Sequence, residues 1–133
     1  MSLAPGQTID RYVVERRIGR GGMAEVFAVR HRLLGTRHAL KVLLDASEDL
    51  RERLLREGRV QASLDHPNVV PVRDVFDVDG APALLLPFVP GPSLSELIGA
   101  GGFELEDALA LFRAVVTGVA FVHAHGLVHR DVK

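Results

Sequence analysis

The glycine-rich stretch Gly19-Arg20-Gly21-Gly22 lies between two β-rich runs, residues 11–18 (RYVVERRI) and 25–30 (EVFAVR). That placement constrains the fold more than any other feature of the chain. Glycine lets a backbone turn tightly and lets its N–H groups come close to an anion. A dinucleotide-binding turn has to open a helix, yet Val26-Phe27-Ala28-Val29 follows and favours a strand. No GxxxxGK(S/T) loop occurs, so a Walker-type ATPase has no support either. What remains is a hairpin with a glycine-rich turn; taken alone, a plain turn is the simpler reading. The turn Leu34-Gly35-Thr36 and a third β run, residues 38–44 (HALKVLL), extend the hairpin into an antiparallel sheet.

Ser47 with Glu48 and Asp49 behind it predicts a helix N-terminus, since a hydroxyl caps free N–H groups and acids suit the positive end of the helix dipole. The helix is expected to reach about Leu64, with Leu50, Leu54, Glu57, Gln61 and Leu64 on one face at steps of three and four. Residues 69–78 and 81–89 read as two further strands joined at Asp79-Gly80, a tight hairpin pair. Pro71 and Pro82 mark edges or strand ends. Pro90-Gly91-Pro92 is a linker, and Ser93 with Glu96 forms a capping box that opens a short helix ending at residues 99–102. A longer helix is predicted over residues 105–125, with Leu105, Ala108, Leu109, Phe112, Val116, Val119 and Ala120 on its apolar face and Gly126 as its cap. Five strands, a helix after the third, a linker and then helices make an α+β arrangement. The expected domains are a flexible N-terminal arm over residues 1–10, an α+β lobe over 11–89 and the start of a helical lobe over 90–133.

Composition narrows the function classes. With 133 residues, 47% hydrophobic and 25% charged, the chain is an ordinary globular one of a domain or a little more. Sixteen Lys+Arg against seventeen Asp+Glu leave a net charge of −1. That excludes attachment to nucleic acid by bulk positive charge but not a phosphate site built from a few donors. There is no cysteine, which rules out disulfides and thiolate metal sites. No apolar run reaches the roughly 18 residues of a spanning helix. The first six residues, MSLAPG, lack the basic-then-apolar order of a secretory signal. The piece is therefore expected to be cytoplasmic, with no membrane segment of its own.

Three further features carry chemistry. Period two places Ala39, Lys41 and Leu43 on one strand face. A lysine there loses hydration unless an anion faces it, the alternative being a lysine that snorkels at a sheet edge. Glu57 falls on the otherwise apolar helix face, and Lys41 and Glu57 could satisfy each other. Such a pair says little about stability and more about a positioned lysine; the alternative is a rotated helix with Glu57 in water. Finally, His129-Arg130-Asp131-Val132-Lys133 crowds an acid among bases, suited to proton transfer and phosphate binding, or else to a solvated loop. His123, His125 and His129 raise the question of zinc. With no thiol and only Asp131 nearby, no metal site is assigned.

Taken in order, the glycine turn GRGGMAEV, the strand HALK, Glu57 and HRDVK resemble the protein kinase family, with separations of about twenty, sixteen and more than seventy residues. The wording GGMAEVF and the HPNVV stretch from His66 look most like bacterial eukaryotic-like Ser/Thr protein kinases. Ala24 stands where many members have a third glycine. The resemblance implies a kinase N-terminal lobe, a five-stranded antiparallel sheet plus one helix, followed by the first helices of the C-terminal lobe. It implies ATP as cofactor, with Ile18 and Val26 over the adenine and the backbone of Gly19, Arg20, Gly21, Gly22, Met23 and Ala24 over the phosphates, Glu25 completing the nucleotide-binding loop. Met23 would be a flap at its tip. Ala39 would roof the base, and Lys41, held by Glu57, would bind the α- and β-phosphates. Leu86 matches the gatekeeper, and Pro87, Phe88 and Val89 match the hinge. Asp131 would accept the proton of a Ser/Thr hydroxyl on a protein substrate, Lys133 would steady the γ-phosphate, and Arg130 would pair with a phosphorylated activation loop.

In that family an Asn that ligates Mg²⁺ lies three residues past Lys133, and the DFG Asp, activation loop and substrate-binding helices come later. The resemblance therefore implies a catalytic domain truncated in its catalytic loop, inactive or nearly so alone. The helix from Leu105 would normally pack inside the larger lobe, so its apolar face is expected to drive self-association. A membrane anchor could follow downstream in the complete protein. The competing readings are a non-catalytic nucleotide-binding module, such as a pseudokinase or regulatory fragment, and a small-molecule phosphotransferase. Retention of Lys41, Glu57 and Asp131 weighs against a degenerate pseudokinase. A glycine turn paired with a full HRDxK weighs against the small-molecule enzyme.

Overall fold

The computed structural model describes residues 3–44 and 47–128. Its elements run β1 (Thr8–Ile9), β2 (Tyr12–Arg20), β3 (Ala24–His31), β4 (Arg37–Leu43), α1 (Glu48–Ala62), β5 (Asp74–Val78), β6 (Ala81–Pro87), α2 (Leu94–Gly99) and α3 (Leu105–Ala124). The strands form one antiparallel sheet in the order β1-β2-β3-β4-β6-β5. The chain divides into two compact units. One runs to Ser63 and resumes over Pro71–Val89; the other comprises Leu64–Val70 and the chain from Pro90.

In the first unit, alternation along β3, β4 and β6 sends successive side chains to opposite faces. Tyr12, Val14, Phe27, Val29, Leu40, Val42, Ala83 and Leu85 fill one face, and Phe27, Leu40, Val14 and Val29 are its most deeply buried members. The segment expected to be a loose arm belongs to this core: Leu3 and Ile9 are buried in it. The Gly6 N–H donates to the Val14 carbonyl (2.8 Å), and the Val14 N–H donates to the Gln7 carbonyl (2.9 Å). β1 thereby adds a short sixth strand to the five expected, because two apolar side chains and two backbone bonds outweigh the freedom of so short a segment.

The other face holds a smaller cluster, Ala24, Leu43, Leu54, Val72 and Leu84, under α1. The contact line of α1 is Leu54 and Gly58, both buried. A Cβ on Gly58 would lie 3.1 Å from Leu84 Cδ2, so glycine here sets how closely the helix approaches the sheet. β5 begins at Asp74 rather than residue 69 because the chain turns at His66, where the Val69 N–H donates to the His66 carbonyl (3.1 Å). Asp79 and Gly80 both have positive φ (50° and 86°), as a two-residue hairpin of their type requires. Arg51 of α1 fastens this turn through Asp77 (3.0 Å) and the Gly80 carbonyl (3.3 Å).

The second unit is built on α3. A Cβ on Gly118 would meet the Asn68 carbonyl oxygen at 2.6 Å, so only glycine admits Leu64–Val70 against the helix. His66 and His125 flank the Phe121 ring, with centroids 4.7 and 4.3 Å away. The capping box of α2 is complete: Ser93 Oγ accepts from the Glu96 N–H and Glu96 accepts from the Ser93 N–H, each at 3.2 Å. No helix among the described residues is long and apolar enough to cross a membrane.

Candidate nucleotide site

Strand register decides which predicted site residues meet. Val26 pairs with Lys41 and Gly19, Lys41 with Leu84, and Ala39 with both Ala28 and Leu86. Directly opposed residues share a face, so Gly19, Val26, Ala28, Ala39, Lys41, Leu84 and Leu86 all lie on the α1 side of the sheet. The two alanines are small and buried; Val26, Lys41 and Leu86 are half-buried. The result is an apolar strip with an ammonium in it, of a kind that fits a flat heterocycle with phosphates beside it. Ile18 is more exposed and sits at a register shift between Arg17 and Gly19. Pro87 ends β6 opposite His38, with Phe88 half-buried and Val89 exposed beyond it.

The glycine turn is held lightly. The Gly21 N–H donates to the Ala24 carbonyl (2.8 Å), and the Leu44 N–H donates to the Met23 carbonyl (2.9 Å). Met23 projects from the tip, 68% exposed. Gly19, Gly21 and Gly22 are absent from the positive-φ glycines, and a Cβ on them would meet only Val26 at 3.7 Å, Ala24 at 3.8 Å and nothing at all. Neither backbone strain nor packing within the chain demands glycine at these three positions. Bare backbone is thereby left open to approach from outside the chain.

Two expectations are corrected. Glu57 does not lie on the inward face of α1: it is exposed and accepts from Arg53 Nε at 3.0 Å, one turn away. The buried line passes through Leu54 and Gly58, and helical geometry puts Glu57 roughly 80° round the axis from the middle of that line. Lys41 and Glu57 therefore form no ion pair, and Lys41 makes none with any described residue. A salt bridge in water with Arg53 needs no desolvation of the carboxylate, which a buried partnership would. Glu25, grouped with the nucleotide-binding loop, pairs with Arg20 and Val42 and so stands on the opposite face. There it is buried, with Oε1 3.0 Å from Arg17 and 3.6 Å from Arg20. The Arg20 side chain thus stands on the face opposite Lys41.

Arg130, Asp131 and Lys133 lie outside the described residues, as does His129. His125 Nδ1 is 2.8 Å from the Phe121 carbonyl, and among the described residues no group of three or more His, Asp or Glu converges on a metal position.

Sequence reasoning passed over an aromatic cluster on the filled face. Tyr12 meets His31 and His38 edge-on (5.2 and 5.5 Å) and stacks on Phe76 (6.1 Å). His38 Nε2 is 3.0 Å from Thr36 Oγ1, and its Nδ1 is buried without a partner. Burial first, then the nearby His31 and Arg73, holds its pKa below the ordinary histidine value. The signal was the alternation of His38 with Leu40 and Val42, which puts all three on the core face.

A glycine hairpin, an apolar strip and a lysine on the neighbouring strand, on a sheet of this order, are the features of a protein-kinase N-terminal lobe. Residues 12–133 match the protein kinase domain family, and the chain belongs to it. It is 35% identical to the serine/threonine-protein kinase pkn2 of Myxococcus xanthus, over 98% of this chain and 16% of that protein. It is also 35% identical to the serine/threonine-protein kinase PrkC of Bacillus subtilis, over 92% of this chain and 20% of that protein. The crystal structure of the Mycobacterium tuberculosis PknI kinase domain superposes with a TM-score of 0.82 at 32% identity, covering 99% of this chain and 56% of that one. The chain thus spans about half of a kinase domain of known structure and a smaller part of these curated relatives. Kinases of this family use ATP, generally with Mg²⁺, and act on protein substrates.

Proposed function

We propose that this chain supplies the ATP-binding part of a Ser/Thr protein kinase that transfers the γ-phosphate of ATP to a protein hydroxyl. The observation that carries this reading is the register that puts Val26, Ala39, Lys41 and Leu86 on one face beside a glycine turn whose glycines nothing inside the chain requires. A structure of Rad53 in complex with AMP-PNP has the same fold, with a TM-score of 0.81 at 26% identity, which supports nucleotide binding by a chain folded this way.

On this reading Ile18 and Val26 cover the adenine, Ala39 roofs it, Leu86 limits its depth, and the Pro87–Val89 backbone binds its edge. Pro87 keeps a carbonyl acceptor although it lacks an N–H. The backbone from Gly19 to Ala24 lies over the phosphates, and Lys41 neutralises them. Glu57, which pairs with Arg53, orients Lys41 only if α1 turns about its axis. Asp131 accepts the hydroxyl proton of the substrate, the freed oxygen forms a bond to the γ-phosphorus, the bond to the β-phosphate oxygen breaks, and ADP leaves. Lys133 steadies the charge on the transferring group. The chain spans about half of a kinase domain of known structure, and by itself it is expected to transfer little or no phosphate. The apolar side of α3, where Leu105, Leu109, Phe112 and Val116 are exposed, is left to a second copy or to further chain.

Titration with a fluorescent ATP analogue tests the binding half. Saturable binding to the 133-residue chain that is lost in Lys41→Met is expected. Binding unchanged by that substitution sinks the site assignment. Phosphotransfer by the complete protein, abolished in Asp131→Asn, tests the rest; no transfer under any condition would leave a non-catalytic nucleotide-binding module.

A further inference from the structure

We propose that Glu25 is a positioning residue that braces the glycine turn from the far side of the sheet, fixing the backbone conformation that receives phosphate. This deepens the nucleotide-binding reading and rests on it for its functional meaning. Glu25 is the one charged residue buried among the described residues, at 3% exposure. Its carboxylate spans the hairpin: Arg17 and Arg20 come from β2, which enters the turn, and Glu25 from β3, which leaves it.

The strand irregularity explains how two arginines reach one acid. Residues three apart in a regular strand point to opposite faces. Arg17 and Arg20 are three apart, yet they pair with Phe27 and Glu25, which share a face. The register shift between Arg17 and Gly19, with Ile18 as the extra residue, corrects the phase. The same shift returns Gly19 to the nucleotide face opposite Val26. One bulge therefore does two things at once: it turns glycine toward the ligand and gathers both guanidiniums behind it.

The physical need is clear from the turn itself. Gly19, Gly21 and Gly22 carry the largest backbone entropy of any residue type. Against that, the tip has the Gly21–Ala24 and Met23–Leu44 bonds. A buried carboxylate with two guanidiniums at the root restrains the incoming strand against the outgoing one. It also keeps the Arg20 side chain off the nucleotide face. Losing the acid leaves two partly exposed guanidiniums facing each other with no anion between them, and the two strands without their tie at the root of the turn.

The test compares the chain with Glu25→Gln and Arg20→Met, reading amide hydrogen exchange by NMR and the dissociation constant of a fluorescent ATP analogue. Glu25→Gln is expected to speed exchange at Gly21 and Leu44 tenfold or more, leave Leu40 and Val42 within about twofold, and weaken analogue binding fivefold or more. Arg20→Met should show the same pattern at smaller size, and adding it to Glu25→Gln should change little further, since the two act through one contact. Unchanged exchange at Gly21 and Leu44 overturns the proposal. So does acceleration spread evenly through the sheet, which would make Glu25 a residue of general stability. If Glu25→Gln does not fold, Arg20→Met decides alone by the same signature. If the unsubstituted chain binds no analogue, the nucleotide reading falls, and exchange at the two amides still decides whether the brace exists.

Discussion

The two faces of the sheet handle the same raw material differently. One is packed with Phe27, Val29, Leu40 and Val42, closed over by Leu3 and Ile9, and it surrounds its buried charge, Glu25, with two arginines. The other is packed where α1 covers it; along β2, β3 and β4 it keeps small residues and a lysine with no ion-pair partner among the described residues. The same alternation built both faces. The difference teaches where packing makes stability and where the sheet stays open, because small side chains and an unpaired lysine leave room for an anionic ligand rather than for a core.

Phe27→Ala should break the filled face most severely, lowering stability by about 3–5 kcal/mol for a fully buried aromatic. Urea unfolding measures it, and a loss under about 1 kcal/mol would show that this face is not the core. On the bare face Lys41→Met should leave stability nearly untouched but lower phosphotransfer by the complete kinase about 10²–10³-fold, the loss typical of one transition-state contact. Steady-state assays would decide it, near-normal turnover contradicting the role assigned to Lys41. Leu3→Ala probes whether the N-terminal segment truly closes the filled face; about 2 kcal/mol is expected, the lower end for a buried leucine. No change in the unfolding midpoint would return that segment to a loose arm.

The smallest effect belongs to His38. Burial depresses its folded pKa below the unfolded value, so the unfolded chain binds the extra proton as pH falls from neutrality. The stability it contributes is present above the unfolded histidine range and is lost as pH drops through that range toward the lowered folded pKa. His38→Gln should flatten this part of a Tm-against-pH curve between about 7.5 and 5.5. An unchanged slope would assign the pH response to other groups.

Much of this architecture could be read from residue types alone. Strand period placed Ala39, Lys41 and Leu43 together, Asp79-Gly80 announced its hairpin, and Ser93 with Glu96 its capping box, because each depends on neighbours within a few residues. The phase of α1 could not be read the same way. Leu50, Leu54 and Gln61 at helical spacing admit more than one facing direction, and what selected it was Gly58, whose missing side chain lets the helix press onto Leu84. Glu57 was carried round to Arg53 as a result. Glu25 was misplaced for a similar reason: it stood in a motif, while the cross-strand register that sent it to the far face belongs to the pairing of β2 with β3.

By itself, then, the order of residues determined that a glycine turn would join two strands, that Lys41 would share a strand face with Ala39, and that helices would follow a proline-rich linker. These are consequences of local geometry and short-range bonding. Only the tertiary structure decided which face Glu25 would occupy, which way α1 would turn, and that Leu3 and Ile9 would close the core. Each of those depends on one bulge, one glycine or one apolar side chain meeting a partner distant in the chain, and the free energy of such a meeting exists only once the sheet has formed.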